Sequence, residues 1–225
     1  LNASGPAPKS LSVAALKDRG FEKIPSYGVE PIDVPGAVAG WMTLHERFGK
    51  LPLEEVMAPA IRYAEKGYPV TPNISRLWQE AFENYSKYRD RPEFQGWFDT
   101  FAPNNTWLKP GEMFRCPDMA KTLKEIAATK GEAFYRGAIA EKIDAFFKKH
   151  NGFLTKEDLA AFKPEWVDPI SVNYHGVDVW ELPPNGHGIT VLMALQILKD
   201  MNLAERDCAD TMHKQIEAMK LAMVD

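Results

Sequence analysis

The sequence predicts a layered α/β fold, rich in helices over its first two thirds, with a β-hairpin around residue 175. In residues 170–174 and 177–180, apolar and polar side chains alternate on either side of His175 and Gly176, which is typical of a hairpin with a two-residue turn. Residues 189–201 follow as a predicted helix that is apolar on nearly every side, as expected for a helix packed between other layers. A sheet followed by such a helix favours a layered arrangement.

Helical and irregular segments are also predicted ahead of this hairpin. Apolar residues recur at helical spacing over residues 53–66, where Pro59 predicts a kink or a late start. Residues 85–117 are rich in aromatic residues and proline but have no clear period. We therefore expect a long irregular surface loop there, with partly buried aromatic anchors that could overhang a cleft.

Several helix boundaries can be predicted from capping patterns. Asp118 is in position to cap a helix, and residues 138–149 place apolar side chains on one helical face. Thr155 and Asp158 have capping-box spacing ahead of a short helix. A last helix is predicted over residues 211–225 from its apolar spacing.

Composition excludes some classes of protein. The chain has 225 residues, of which 45% are hydrophobic and 26% charged, and this balance predicts a single globular domain or a large part of one. The net charge of -4 and the absence of a basic cluster argue against a nucleic-acid partner. The longest apolar run, residues 188–198, is shorter than the ~20 residues that a membrane-spanning helix needs.

Familiar cofactor and metal motifs are missing. The sequence contains none of the patterns GxGxxG, GxxxxGK[ST], HExxH or GxSxG, so no cofactor is predicted. No pair among its five histidines has the i, i+4 spacing of a helical metal site, and no metal is predicted either. Cys116 and Cys208 are too few and too far apart for a disulfide framework or a CxxC site, so we expect buried thiols.

Few residues are candidates for a functional role. His187 lies between two glycines in the loop of residues 183–188, where backbone can approach a ligand closely. Ser4 and Thr71 lack a neighbouring base and oxyanion donor, so neither is a predicted nucleophile, and both fit turn or cap positions. The two ends suggest a piece of a longer protein, because residue 1 starts inside a turn-rich stretch and the last helix stops without a terminating residue.

Six blocks in consecutive order resemble the gamma-glutamyltransferase family, and together they extend the resemblance over essentially the whole chain. They are Val34-Pro-Gly-Ala-Val-Ala-Gly-Trp41, Leu44-His-Glu-Arg-Phe-Gly-Lys-Leu-Pro52, Ala58-Pro-Ala-Ile-Arg-Tyr-Ala-Glu-Lys-Gly-Tyr-Pro-Val70, Gly131-Glu-Ala-Phe-Tyr-Arg-Gly137, Gly152-Phe-Leu-Thr-Lys-Glu-Asp-Leu-Ala160 and Tyr174-His-Gly-Val-Asp-Val-Trp180.

This resemblance implies an N-terminal-nucleophile hydrolase with an αββα sandwich, made as one precursor that cuts itself into a large and a small subunit. Residues 1–225 would be a single incomplete domain, the helix-rich part of the large subunit. The implied partners are the small subunit from the same precursor and a small-molecule amide substrate. The nucleophile would be the Thr at the new N-terminus of the small subunit, so no catalytic residue is expected in this chain.

Two departures from the family pattern concern the substrate. Where members that bind a gamma-glutamyl group carry an Arg that can grip the substrate α-carboxylate, this chain has Pro6. The loop of residues 183–188 resembles the branch with oxamate amidohydrolase and cephalosporin acylases. Three functions stay open: cleavage of gamma-glutamyl amides such as glutathione, hydrolysis of another small acyl amide, and a non-catalytic scaffold. The candidate substrate-binding residues are Ser4, Asn185 and His187.

Overall fold

The computed structural model describes residues 1–203 and 205–224, and within them the chain is a mixture of helices and short strands. This mixture confirms the predicted α/β class and its helix-rich character. The helices are α1 (Val13–Asp18), α2 (Ala37–Phe48), α3 (Leu53–Lys66), α4 (Pro72–Ser86), α5 (Gln95–Phe101), α6 (Pro117–Thr129), α7 (Glu132–Arg136), α8 (Ala138–Lys149), α9 (Lys156–Ala161), α10 (Gly188–Leu198) and α11 (Ala209–Ala222). The strands are β1 (Tyr68–Pro69), β2 (Met113–Phe114), β3 (Ile170–Tyr174) and β4 (Val177–Glu181).

Contacts within the chain divide it into two compact units. The larger unit contains residues 3–164, and the smaller unit contains residues 1–2 together with residues 165–225. That residues 1–225 belong to one incomplete domain stays a prediction.

The core of the larger unit is built mainly from helices α2, α3 and α6 to α9. Leu154 and Leu159, on either side of the start of α9, are almost completely buried in it. The predicted capping box is confirmed, because Thr155 accepts a hydrogen bond from the backbone N–H of Asp158 and the Asp158 carboxylate accepts one from the backbone of Thr155. These bonds fix the start of α9, so that its apolar side faces the core.

The predictions for residues 53–66 and 138–149 are also confirmed, since α3 and α8 have those bounds. Helix α3 continues through Pro59. Pro59 has no backbone N–H to donate, so the helix loses one internal hydrogen bond there. The burial of other α3 residues, such as Leu53 and Met57, compensates for this loss.

The prediction of an irregular loop was wrong for residues 92–101. They form a 3-10 turn, Pro92–Phe94, followed directly by helix α5. Phe94, Phe98 and Ala102 recur every four residues and are all buried, so one helical face packs into an aromatic cluster. Of the aromatic residues expected as anchors, Phe94 and Phe98 are buried in this cluster and Trp97 packs against them. Phe82, Tyr85 and Tyr88 complete the cluster.

Asp118 does not cap helix α6, contrary to the prediction. The N-cap is Cys116, and Pro117 occupies the first turn, where a missing N–H costs nothing. The Asp118 carboxylate instead accepts a hydrogen bond from Lys121 Nζ at 2.8 Å. Cys116 and Cys208 are both half-buried rather than buried, because each occupies the start of a helix near the surface.

In the smaller unit, β3 and β4 form the predicted antiparallel hairpin, with Tyr174 opposite Val177. His175 and Gly176 both have positive φ, as a tight hairpin turn requires. Helix α10 packs against both strands and against α11. It is shorter than the predicted 189–201, and Val191 remains 42% exposed, so its apolar surface is only partly covered. Of the predicted last helix, Asp225 lies outside the described residues.

We predict that Asp144 stabilises the junction of α8 with α9 in a pH-dependent manner. Its carboxylate accepts hydrogen bonds from Lys148 Nζ and from the backbone N–H of Lys156, and the bond from Lys148 is the main cause of a lowered pKa. Because the folded pKa lies below the unfolded value of about 3.9, the stabilisation is present above that pH and is lost as the pH falls through the folded pKa.

Urea unfolding of the full-length protein checks this prediction. Asp144→Asn should lower the free energy of unfolding at pH 7 by roughly 1 kcal/mol, and the difference from the wild type should shrink as the pH falls below 4. Asp118→Asn is the matched control, because Asp118 also pairs with a lysine but its side chain is 90% exposed. An effect of Asp144→Asn that is the same at every pH would contradict the assignment.

Candidate functional site

The loop between β4 and α10 carries two of the predicted substrate-binding residues, Asn185 and His187, and both are exposed. A Cβ on Gly186 would meet no atom within 4 Å, so the middle of the loop is open to a ligand. At the end of the loop the packing is tight, because a Cβ on Gly188 would lie 2.6 Å from the carboxylate of Glu181. The loop is therefore fixed at its base and open at its tip.

Asn2 contacts this loop from the start of the chain. Its backbone exchanges two hydrogen bonds of 2.8 Å with Glu165, which form an isolated antiparallel bridge. Its side-chain amide Nδ2 donates to Asn185 Oδ1 at 2.9 Å. One of the predicted site residues is thus held by a residue 183 positions away in the sequence.

The third predicted residue, Ser4, belongs to the larger unit, in a segment that runs beside residues 34–36. The backbone N–H of Val34 donates to the Pro6 carbonyl at 3.0 Å. A Cβ on Gly5 would collide with the Val34 carbonyl, and a Cβ on Gly36 would collide with the Ala3 carbonyl. The two segments can only lie this close because both positions are glycine.

Ser4 and Pro6 are exposed, whereas Ala3 and Gly5, which alternate with them, are partly covered by the packing against residues 34–40. The segment thus presents Ser4 and Pro6 outward. Neither side chain carries a charge, so this stretch supplies no cation to an acyl group with a free carboxylate.

Tyr135 supports the same region from within the core, a role that the sequence did not indicate. Its hydroxyl donates to the Pro35 carbonyl at 2.7 Å and accepts from the backbone N–H of Ala39 at 3.0 Å. Burial raises the pKa of Tyr135, so the hydroxyl keeps its proton for the bond to Pro35. Its ring stacks on Phe162. Tyr135 thereby fixes the first turn of α2, next to the glycine contact.

Thr71 and three of the histidines occupy positions in helices, helix caps and turns. Thr71 caps α4 by accepting from the backbone N–H of Ile74, as a cap residue should. His45 and His213 lie on helices, and His175 lies in the hairpin turn. Among the described residues, no three His, Cys, Asp or Glu side chains are grouped closely enough to hold a metal ion. No helix within those residues is long and apolar enough to cross a membrane.

Comparison with known proteins relates this geometry to other structures. The chain superposes over its whole length on a cephalosporin acylase from Bacillus halodurans, with a TM-score of 0.97 and 52% identity, covering 42% of that chain. The fold is therefore that of an N-terminal-nucleophile hydrolase, as predicted.

Sequence comparison then defines the family. The glutathione hydrolase-like YwrD proenzyme of Bacillus subtilis is 31% identical over 100% of this chain and 42% of its own length. The glutathione hydrolase proenzyme of Pseudomonas aeruginosa is 33% identical over 97% of this chain and 39% of its own length. A family model described as gamma-glutamyltranspeptidase matches residues 1–225, and the chain belongs to this family. It spans about two fifths of the length of these two relatives.

We predict that Gly188 is required for the base of the β4–α10 loop, and Gly186 is not. Gly188→Ala should lower the free energy of unfolding by about 1–3 kcal/mol, because its Cβ would overlap the Glu181 side chain. A Cβ at Gly186, in the same loop, would enter open space, so Gly186→Ala should change the free energy of unfolding by less than about 0.5 kcal/mol. Thermal unfolding of both variants checks this, and equal losses would mean that the close contact with Glu181 does not restrain the loop.

Proposed function

We propose that the protein to which this chain belongs is a self-processed amide hydrolase. In this proposal the chain is part of the large subunit, its partner is the small subunit cut from the same precursor, and the Thr at the new N-terminus is the nucleophile. Its hydroxyl attacks the amide carbonyl, and the amine of the amide leaves with a proton. Water then hydrolyses the acyl-enzyme and releases the acid. The nearby α-amine, whose unperturbed pKa is about 7.7–8.0, serves as the base.

Family membership over residues 1–225 carries this proposal. Both curated relatives compared above are named proenzymes, which fits maturation of a precursor by cleavage. We assign substrate-binding roles to Asn185 and His187 on the β4–α10 loop and, separately, to Ser4 on the segment of residues 3–6.

Gamma-glutamyl amides such as glutathione are the first candidate substrates. Two relatives whose names refer to glutathione hydrolysis align with 97% or more of the chain. The carboxylate of a gamma-glutamyl group requires a compensating donor, and Asn185 and His187 are the polar groups that the β4–α10 loop offers for it.

Another small acyl amide is the second candidate, and the outward positions of Ser4 and Pro6 favour it. These positions are neutral, so an α-carboxylate would gain no bidentate ion pair from the segment that carries an Arg in family members that bind gamma-glutamyl groups. The high identity to a chain named cephalosporin acylase agrees with a different acyl group.

Maturation is the first test. We expect the purified full-length precursor to yield two polypeptides by intact mass, the second of which begins with Thr on N-terminal sequencing. Replacing that Thr by Ala should leave one uncut and inactive chain. A wild-type precursor that stays uncut on incubation would refute the proposed hydrolase and leave the scaffold alternative.

A second test distinguishes the acyl groups. Gamma-glutamyl 4-nitroanilide and 4-aminobutanoyl 4-nitroanilide differ only in the α-carboxylate, so their kcat/KM ratio measures recognition of that group. For the mature wild type, a ratio well above one favours the first candidate. A ratio near one, with turnover of oxamate or another acyl amide, favours the second.

The kcat/KM ratio of the two anilides also tests whether positions 4 and 6 face the acyl group. If residues 4 and 6 face the acyl group, Ser4→Arg or Pro6→Arg should raise the ratio by about tenfold, the value of a charge-assisted hydrogen bond. Ser4→Gln and Pro6→Gln have similar length without charge and should leave the ratio within about twofold. Equal effects of Arg and Gln would show that the charge does not reach the carboxylate and that this segment lies outside the acyl pocket.

A further inference from the structure

We propose that Asn2 is a positioning residue for the β4–α10 loop, holding Asn185 in the orientation in which the loop meets the acyl group. This inference rests on the proposed function, because it assigns a role in substrate binding to a residue that does not itself touch the substrate. It is drawn from the hydrogen bond that Asn2 Nδ2 donates to Asn185 Oδ1 at 2.9 Å.

Asn2 is a suitable anchor because its own backbone is fixed. The bridge to Glu165 uses both its N–H and its C=O, each in a hydrogen bond of 2.8 Å. Because this bridge fixes the position of the Asn2 backbone, the hydrogen bond from its side chain to Asn185 ties the loop to a fixed point. The anchor and the loop belong to the same compact unit.

The loop needs such an anchor at its tip. Asn185, Gly186 and His187 are all exposed, and a Cβ on Gly186 would meet no atom within 4 Å. The close contact of Gly188 with Glu181 fixes the base of the loop only. Exposed loops with few contacts sample several conformations, and binding to such a loop loses affinity to the extent that the competent conformation is rare.

A double-mutant cycle in the full-length mature enzyme, with Asp at position 2, at position 185 or at both, tests the hydrogen bond between Asn2 and Asn185. In Asn2→Asp or Asn185→Asp alone, the remaining amide can rotate and donate to the new carboxylate, so the hydrogen bond survives. In the double variant two carboxylates face each other and the bond is lost. Each variant is assayed with whichever anilide or amide the wild type turns over best, at low and high salt.

The expected result is non-additivity. The double variant should lose about tenfold in kcat/KM beyond the product of the two single effects, chiefly through a higher KM, with kcat within about twofold. High salt should reduce this loss. The melting temperature should show no comparable coupling, because the bond is exposed.

Asn173→Asp is the matched control. Asn173 Nδ2 donates to Asp178 Oδ1 at 2.8 Å in the hairpin, so this substitution places two carboxylates together in the same unit, away from the loop. It should leave kcat/KM within about twofold of the wild type. Additive effects in the cycle, or an equal loss in Asn173→Asp, would overturn the role of Asn2. A wild type that hydrolyses none of these amides would instead overturn the proposed function.

Discussion

The absence of side chains at Gly5 and Gly36 determines how the beginning of the larger unit is packed. Gly5 lies against the Val34 carbonyl and Gly36 against the Ala3 carbonyl, so any Cβ at either position would overlap a backbone oxygen. The path of residues 3–6 beside the start of α2 depends on this contact. Tyr135 reinforces it from the core by bonding to the backbone on both sides of Gly36. With one side of the segment occupied by this packing, Ser4 and Pro6 are left facing outward.

What could be predicted from the sequence depends on how local the responsible interaction is. The capping box of Thr155, helix α8 and the turn at His175 and Gly176 each depend on residues a few positions apart, and all were predicted. Helix α5 was missed because its pattern is aromatic and short, and its stability comes from packing against distant rings. Cys116 was missed as a cap because proline at the next position matters more there than a carboxylate at Asp118.

The candidate site shows the same difference between local interactions, which the sequence predicts, and distant ones, which it does not. The glycines around His187 indicated an accessible loop, and the structure places Asn185 and His187 on that exposed loop. Nothing in the sequence connects the loop to Asn2, because the contact joins residues 183 positions apart and requires the bridge to Glu165. The role of Tyr135 was equally hidden, since its hydroxyl bonds to two backbone groups, the Pro35 carbonyl and the Ala39 N–H. Local patterns identify which residues are exposed, but not which residues hold them in place.

These contacts also suggest how one scaffold can serve different acyl groups. Residues 3–6 are held through backbone carbonyls, one backbone N–H and the absence of side chains at glycine. None of these contacts depends on the identity of the side chain at position 4 or 6. Under the proposed function, a substitution at Pro6 therefore changes the charge presented to a substrate while these backbone contacts are kept. Similarity in fold to an acylase and in sequence to glutathione hydrolases leaves the acyl group undecided. In the proposed function, the outward side chains are where that choice is made.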